Sequence, residues 1–184
     1  MTDKQNIKVL LWILASFALI ELLNVLTGRS LNQLGIVPRQ GEALWGVLFA
    51  PWLHANLSHF FSNILALALF SFLVLDYGIK RYLLVCGTII IVGGLCVWLF
   101  GRNALHVGAS GLVYGLFAFL LLAGFLSREF IKIVIAMLVL ALYGGLLFGI
   151  FPSQPFISWE SHLFGFLSGL LAARLWYKPE TSRD

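Results

Sequence analysis

Charge is what this 184-residue chain has least of: 11% of its residues are Asp, Glu, Lys or Arg, against roughly 25% in an ordinary soluble domain. With 60% hydrophobic residues and a mean hydropathy of +0.96, too few polar side chains remain to cover a water-facing surface. That excludes a soluble enzyme and a disordered chain. Cysteine is scarce too. Cys86 and Cys96 lie in one apolar run, about 15 Å apart along a helix, too far for a disulfide. They read as small apolar filler, and a secreted disulfide scaffold is excluded. The net charge of +4 comes without any basic cluster longer than Lys80-Arg81, so no phosphate-tracking stripe exists and no nucleic-acid partner is expected. What is present is long charge-free runs, the mark of an all-α polytopic membrane protein.

About 20 apolar residues cross the hydrocarbon core as a helix. The runs predict six spans, at about 9–26, 54–75, 82–100, 108–126, 133–150 and 158–176. The first could also be read as a signal peptide, since Lys4 and Lys8 precede it, but no A-x-A site follows and more spans do. The sixth is the weakest, with Glu160 and Arg174 near its ends. No internal repeat or soluble domain is visible, so residues 1–184 read as one membrane domain. Six spans put both termini on one side. That side collects Lys4, Lys8, Lys80, Arg81, Arg128, Lys132, Arg174, Lys178 and Arg183, and leaves Arg29, Arg39 and Arg102 to the other. The positive-inside rule then places both termini in the cytoplasm. Trp12, Trp98, Trp159 and Trp176 fall near predicted ends, as an interfacial belt would place them. The connection at residues 27–50 is too apolar in its second half for a solvated loop, and is expected to lie on or in the outer leaflet.

Ionisable groups inside spans are costly and point to function. Spans two, four and six run in the same direction, so their first turns share the outer face. His54, His59 and Asn63 open the second, Gly108-Ala109-Ser110-Gly111 the fourth, and His162 the sixth. His59 and Asn63 share a helical face, as do Ser110 and Tyr114. Gly111 and Gly115 form one strip without bulk, and Gly165 and Gly169 continue another from His162; such strips let membrane helices pack closely. Packing spans four and six together would bring Ser110 within reach of His162. A serine needs an adjacent base to become a nucleophile, and a tetrahedral intermediate needs donors for its oxyanion. The Ser110 N–H, the His59 ring and the Asn63 amide are candidates. The residues alone thus read as a Ser–His hydrolase site opening outward. Each piece also has a plain structural reading, as a packing strip or an interhelical hydrogen bond.

His54-x4-His59-x3-Asn63, Gly108-Ala109-Ser110-Gly111 and His162-x2-Gly165-x3-Gly169, in that order on alternate helices of a six-span core, resemble the rhomboid intramembrane serine proteases over nearly the whole chain. The resemblance implies a six-transmembrane-helix rhomboid-like bundle with a membrane-embedded first loop. It implies Ser110 as nucleophile and His162 as base with no third acid, His59 and Asn63 in the oxyanion hole with the Ser110 N–H, and His54 supporting the pocket. Tyr114 matches a position that packs against the catalytic histidine. Gly108, Gly111, Gly165 and Gly169 support the site. Substrates would be transmembrane proteins with helix-weakening residues and a small residue before the scissile bond. The fifth span and residues 151–157 would be gate and cap. Many relatives have Trp-Arg where this chain has Trp45-Gly46, which questions any hydrogen bonding by that arginine. Ser161 stands where Gly or Ala is common.

No metal or other cofactor is expected: His54 and His59, five apart, fit a helical metal pair poorly and have no thiolate or carboxylate beside them in sequence. The bare core resembles bacterial members, hence an inner membrane with the site on its outer side. The rival readings are a catalytically silent relative that binds transmembrane segments, a small transporter, and a protease specialised for sorting tails. The transporter lacks a charged substrate site or a Gly/Pro break at mid-depth.

Overall fold

The computed structural model describes residues 3–152 and 156–177. Lys178 and Arg183 of the basic count, and part of the expected cap, lie outside the described residues. Among the described residues every regular element is helical, and the only β-type pairing is an isolated bridge between Ile36 and His106.

The first helix, α1 (Asp3–Leu26), begins six residues earlier than the apolar run suggests. The polar stretch Asp3–Lys8 contains no helix breaker, so the helix continues past the apolar run; Trp12 consequently lies inside the helix instead of at its end, and is 77% exposed. After the short α2 (Gly46–Phe49) comes α3 (Leu57–Leu75). It starts three residues later than the expected span because Asn56 caps it, its side chain accepting from the His59 N–H at 2.8 Å. His54 therefore lies in the preceding loop, not on the helix. The third span is α4 (Ile79–Thr88) and α5 (Gly94–Phe100), joined by a π-helical turn at Ile89–Gly93. The fourth is α6 (Ser110–Ser127). The fifth is α7 (Phe130–Tyr143), finished as a 3₁₀ helix over Gly144–Ile150. Last comes α8 (Trp159–Trp176), capped by Ser158.

Five of these segments are long and apolar enough to cross a membrane: Lys4–Leu26, Leu57–Leu75, Ile79–Phe100, Ser110–Ser127 and Phe130–Ile150. Helix α8 forms where the sixth span is expected, and its 18 residues reach about 27 Å. Glu160, Ser161, His162 and Arg174 make it less apolar than the others. It is a partner of α6 before it is a lipid-facing helix.

Helix α6 is the centre of the bundle. Of its 18 residues 72% are buried, against 17% over the most apolar stretch of α1 and 11% over that of the α7 segment. The densest packing is α6 on α8, and glycine is the reason. A Cβ on Gly165 would overlap the Gly111 carbonyl, and one on Gly169 the Gly115 carbonyl, so the two backbones touch as small-residue strips allow. Around this contact Phe70, Phe117, Phe119, Leu67 and Leu116 are fully enclosed. On the outside, Leu11, Leu22, Leu65, Leu83, Phe130 and Leu142 stand exposed. Lipid, which competes for no backbone hydrogen bond, is the solvent such a surface needs.

The first connection is built into the fold. Ile36, Val47, Ala50 and Leu53 are buried, and the first three form a second small core with Val97. Ile36 and His106 exchange backbone hydrogen bonds at 3.0 and 2.9 Å. Arg39 donates to the carbonyls of Leu99 and Gly101. At Trp45-Gly46 a Cβ on Gly46 would run into the Gly35 carbonyl, so no longer side chain fits there, and Arg29 and Arg39 make the loop's guanidinium contacts.

Candidate active site

Four backbone segments converge at the first turns of α3, α6 and α8. The loop before α6 is fixed by two hydrogen bonds: the Gly108 N–H to the Ala50 carbonyl at 2.9 Å, and the Ala109 N–H to His54 Nε2 at 3.4 Å. Gly108 has φ +125°, which side chains rarely adopt, and a Cβ there would sit 2.7–2.8 Å from the His59 ring. Both constraints require glycine. The next residue in line, Ser110, begins α6; it is buried, and its N–H is among the first of the helix, where no carbonyl lies one turn back.

His59 and Asn63 come to the same loop from α3. The Asn63 Nδ2 lies 3.5 Å from the Cβ position of Gly108. It is buried and makes no hydrogen bond among the described residues. Such a donor is costly to leave unmatched.

His162 comes from the first turn of α8. Its ring lies flat on Tyr114, with centroids 4.1 Å apart and planes 8° from parallel. Its Nδ1 meets the Gly149 carbonyl at 2.9 Å. The hydrogen bond found at this ring thus goes to Gly149 and not to Ser110. The turn that carries it is pinned by side chains not foreseen from the sequence. His106 is buried, and burial pushes its pKa down, keeping it neutral. Its Nε2 donates to the Arg102 carbonyl at 3.1 Å, so its Nδ1 accepts from the Ser158 hydroxyl at 2.5 Å. Ser158 Oγ in turn accepts from Ser161, from its hydroxyl at 2.6 Å and its N–H at 3.4 Å. Ser161 is therefore a link in this chain. Glu160 turns the other way, fully buried against the Arg102 Nε at 3.4 Å and backbone N–H at 3.3 Å.

His54 sits behind the site. Burial, with the neighbouring His59, pushes its pKa down to about 3, so it is neutral and its 3.8 Å approach to Glu21 is not an ion pair. Its backbone carbonyl collects three donors: Arg29 at 2.6 Å, Asn32 at 3.2 Å and Asn24 at 3.4 Å. Arg29 also binds Glu21 of α1 at 2.9 Å. Glu21 and Arg29 were visible in sequence only as a charge inside a span and a charge in a loop; eight residues apart across a helix end, they give no local signal of pairing.

The residues singled out from sequence thus lie on neighbouring segments: His59 and Asn63 of α3 against Gly108 in the loop that leads into Ser110, Gly111 of α6 against Gly165 of α8, Tyr114 of α6 stacked on His162 of α8, and His54 behind the loop. The fold defines an integral membrane helical bundle with this partly buried polar cluster gathered at one end. The chain matches the Rhomboid domain family over residues 41–179, and it belongs to the rhomboid family. It is 40% identical to an uncharacterised protein of Mycobacterium tuberculosis over 93% of this chain and 75% of that one. An uncharacterised protein of Mycobacterium leprae is 38% identical, over 93% and 71%. The Arabidopsis thaliana RHOMBOID-like protein 4 is 30% identical over 72% of this chain and 34% of its own length.

Proposed function

We propose that this protein is an intramembrane serine endopeptidase that hydrolyses peptide bonds in or near the transmembrane helices of other membrane proteins. The observation that carries the reading is the buried Asn63 amide, set against the Gly108 loop that leads into Ser110 and without an acceptor among the described residues. A buried amide donor not engaged by any protein acceptor is available to a developing oxyanion.

In this reading His162 takes the proton of Ser110 as Oγ attacks the substrate carbonyl carbon. The negative oxygen that results is held by the Asn63 amide, the His59 ring and the Ser110 N–H. Collapse breaks the C–N bond, and His162 passes its proton to the departing amine, leaving an acyl ester on Ser110. Water, activated by the same histidine, then releases the acid. No metal or cofactor takes part. Tyr114 holds the base flat, and the His106–Ser158–Ser161 chain holds its helix turn. The substrate must unwind locally, because a helical carbonyl is already engaged by its own N–H four residues on. Basic residues at the opposite end of the bundle support termini in the cytoplasm and a site at the outer side of a bacterial inner membrane.

The test is covalent labelling by a fluorophosphonate probe in detergent and in lipid, which needs no known substrate. Labelling is expected in the wild type and absent in Ser110→Ala and His162→Ala. A folded wild-type protein that fails to label in both media would overturn the protease reading and favour a silent binder of transmembrane segments.

A further inference from the structure

We propose that the backbone carbonyl of Gly149 is the third member of the catalytic constellation, a positioning group that holds the proton of His162 on Nδ1 and leaves Nε2 as the base. The inference rests on the reading of His162 as general base.

A carbonyl oxygen carries no hydrogen. At 2.9 Å from His162 Nδ1, it makes that nitrogen the donor. A neutral imidazole carries one proton, so Nε2 keeps its lone pair. A serine hydroxyl can give its proton only to such a nitrogen. In a Ser-His-Asp triad the carboxylate selects this tautomer. Here the nearest carboxylate in sequence, Glu160, is held by Arg102, and the selection falls to a peptide group thirteen residues upstream.

The geometry is specific to glycine. A Cβ on residue 149 would overlap the Tyr114 hydroxyl and lie 3.3 Å from His162 Nδ1. Any side chain therefore has to displace the Tyr114 phenol stacked on the ring, the Gly149 carbonyl, or both. Tyr114 and Gly149 align the ring together. The stacked phenol sets the plane of the imidazole, and the carbonyl sets which edge faces the serine. Gly149 lies in the last turn of the 3₁₀ segment Gly144–Ile150, beside Phe148 and Phe151, which stand exposed on the bundle's outside.

The chain has four histidines, so ¹⁵N-histidine NMR of the purified protein can resolve His162, assigned by its loss in His162→Gln. In the wild type near neutral pH, His162 is expected to be protonated at Nδ1 and not at Nε2. Gly149→Ala should abolish that preference and slow fluorophosphonate labelling about tenfold, the rate equivalent of one ordinary hydrogen bond. Replacing Ile150 by its α-hydroxy analogue turns the Gly149 carbonyl into a weaker ester acceptor without adding bulk. It should act in the same direction, and it decides the matter if Gly149→Ala does not fold. A wild-type His162 protonated on Nε2 would overturn the proposal, as would an Nδ1–H tautomer that persists in the folded variants. Failure of the wild type to label is a different result: it strikes the protease reading and leaves the tautomer assignment standing.

Discussion

Glu21 shows how a single residue far from Ser110 and His162 is tied to the candidate site. It projects from α1, 3% exposed, and its partner Arg29 spends its other nitrogen on the His54 carbonyl. His54 in turn receives the Ala109 N–H directly before Ser110. Removing one member of a buried ion pair leaves the other unmatched, at a cost of about 3–5 kcal/mol. Arg29 is a quarter exposed on its side chain, so the lower end of that range applies. Glu21→Ala should lower the stability of the detergent-solubilised protein by about 3 kcal/mol, read as thermal or denaturant unfolding. Arg29→Ala should cost as much or more, since it also removes the shortest of the three hydrogen bonds to the His54 carbonyl. The double variant should lose clearly less than the sum of the two, because the pair is removed together. Strict additivity would show that the two charges are not coupled.

At the scale of elements, the α6–α8 contact is where the proposed chemistry depends most directly on packing. Ser110 and His162 belong to different helices, and nothing covalent near the site joins them. The Gly111–Gly165 and Gly115–Gly169 contacts set their separation. Gly169→Val would force the Gly115 backbone away, tilting α8 and withdrawing His162. Loss of fluorophosphonate labelling is expected, with a fall in unfolding temperature. Gly87→Ala, where a Cβ meets nothing within 4 Å, should leave labelling unchanged and gain up to about 1 kcal/mol from helix propensity. Equal labelling in both variants would show that the strip does not set the site. These helices were legible in the sequence because about 20 uncharged apolar residues have few other fates, and the i, i+4 offsets of His59–Asn63 and Ser110–Tyr114 need only helical geometry. The start of α3 was misplaced by the same reasoning, since apolarity continues through Leu53 while the Asn56 cap, a single side chain, ends the loop. The π turn at Ile89–Gly93 leaves no trace in composition. It lies where the third span meets α8 and the first loop: a Cβ on Gly93 would be 3.3 Å from Ser168 Oγ, and one on Gly94 2.8 Å from Val47. Nor could the Gly149 carbonyl be read, since a backbone oxygen has no letter of its own.

For the whole molecule, the distribution of charge makes a claim about direction that the packing does not make. Residues at the site end of the bundle include Gln40 and Asn103; Asp76 and Glu129 stand exposed at the other. The basic residues flanking Asp76 and Glu129 should hold that end in the cytoplasm, as translocating lysine and arginine is disfavoured. With Cys86 and Cys96 replaced by serine or alanine, single cysteines at these four positions report the arrangement in intact bacterial cells. A membrane-impermeant maleimide should label Gln40→Cys and Asn103→Cys from outside. It should label Asp76→Cys and Glu129→Cys only after the cells are broken. The reverse pattern would put Ser110 and His162 at the cytoplasmic face, and any substrate bond they cut would then have to lie at that face. A mixed pattern, with Asn103 and Glu129 labelled from the same side, would break the span between them. That is the outcome α6 makes hardest to obtain: it is the most enclosed helix of the bundle, and its first residue is Ser110.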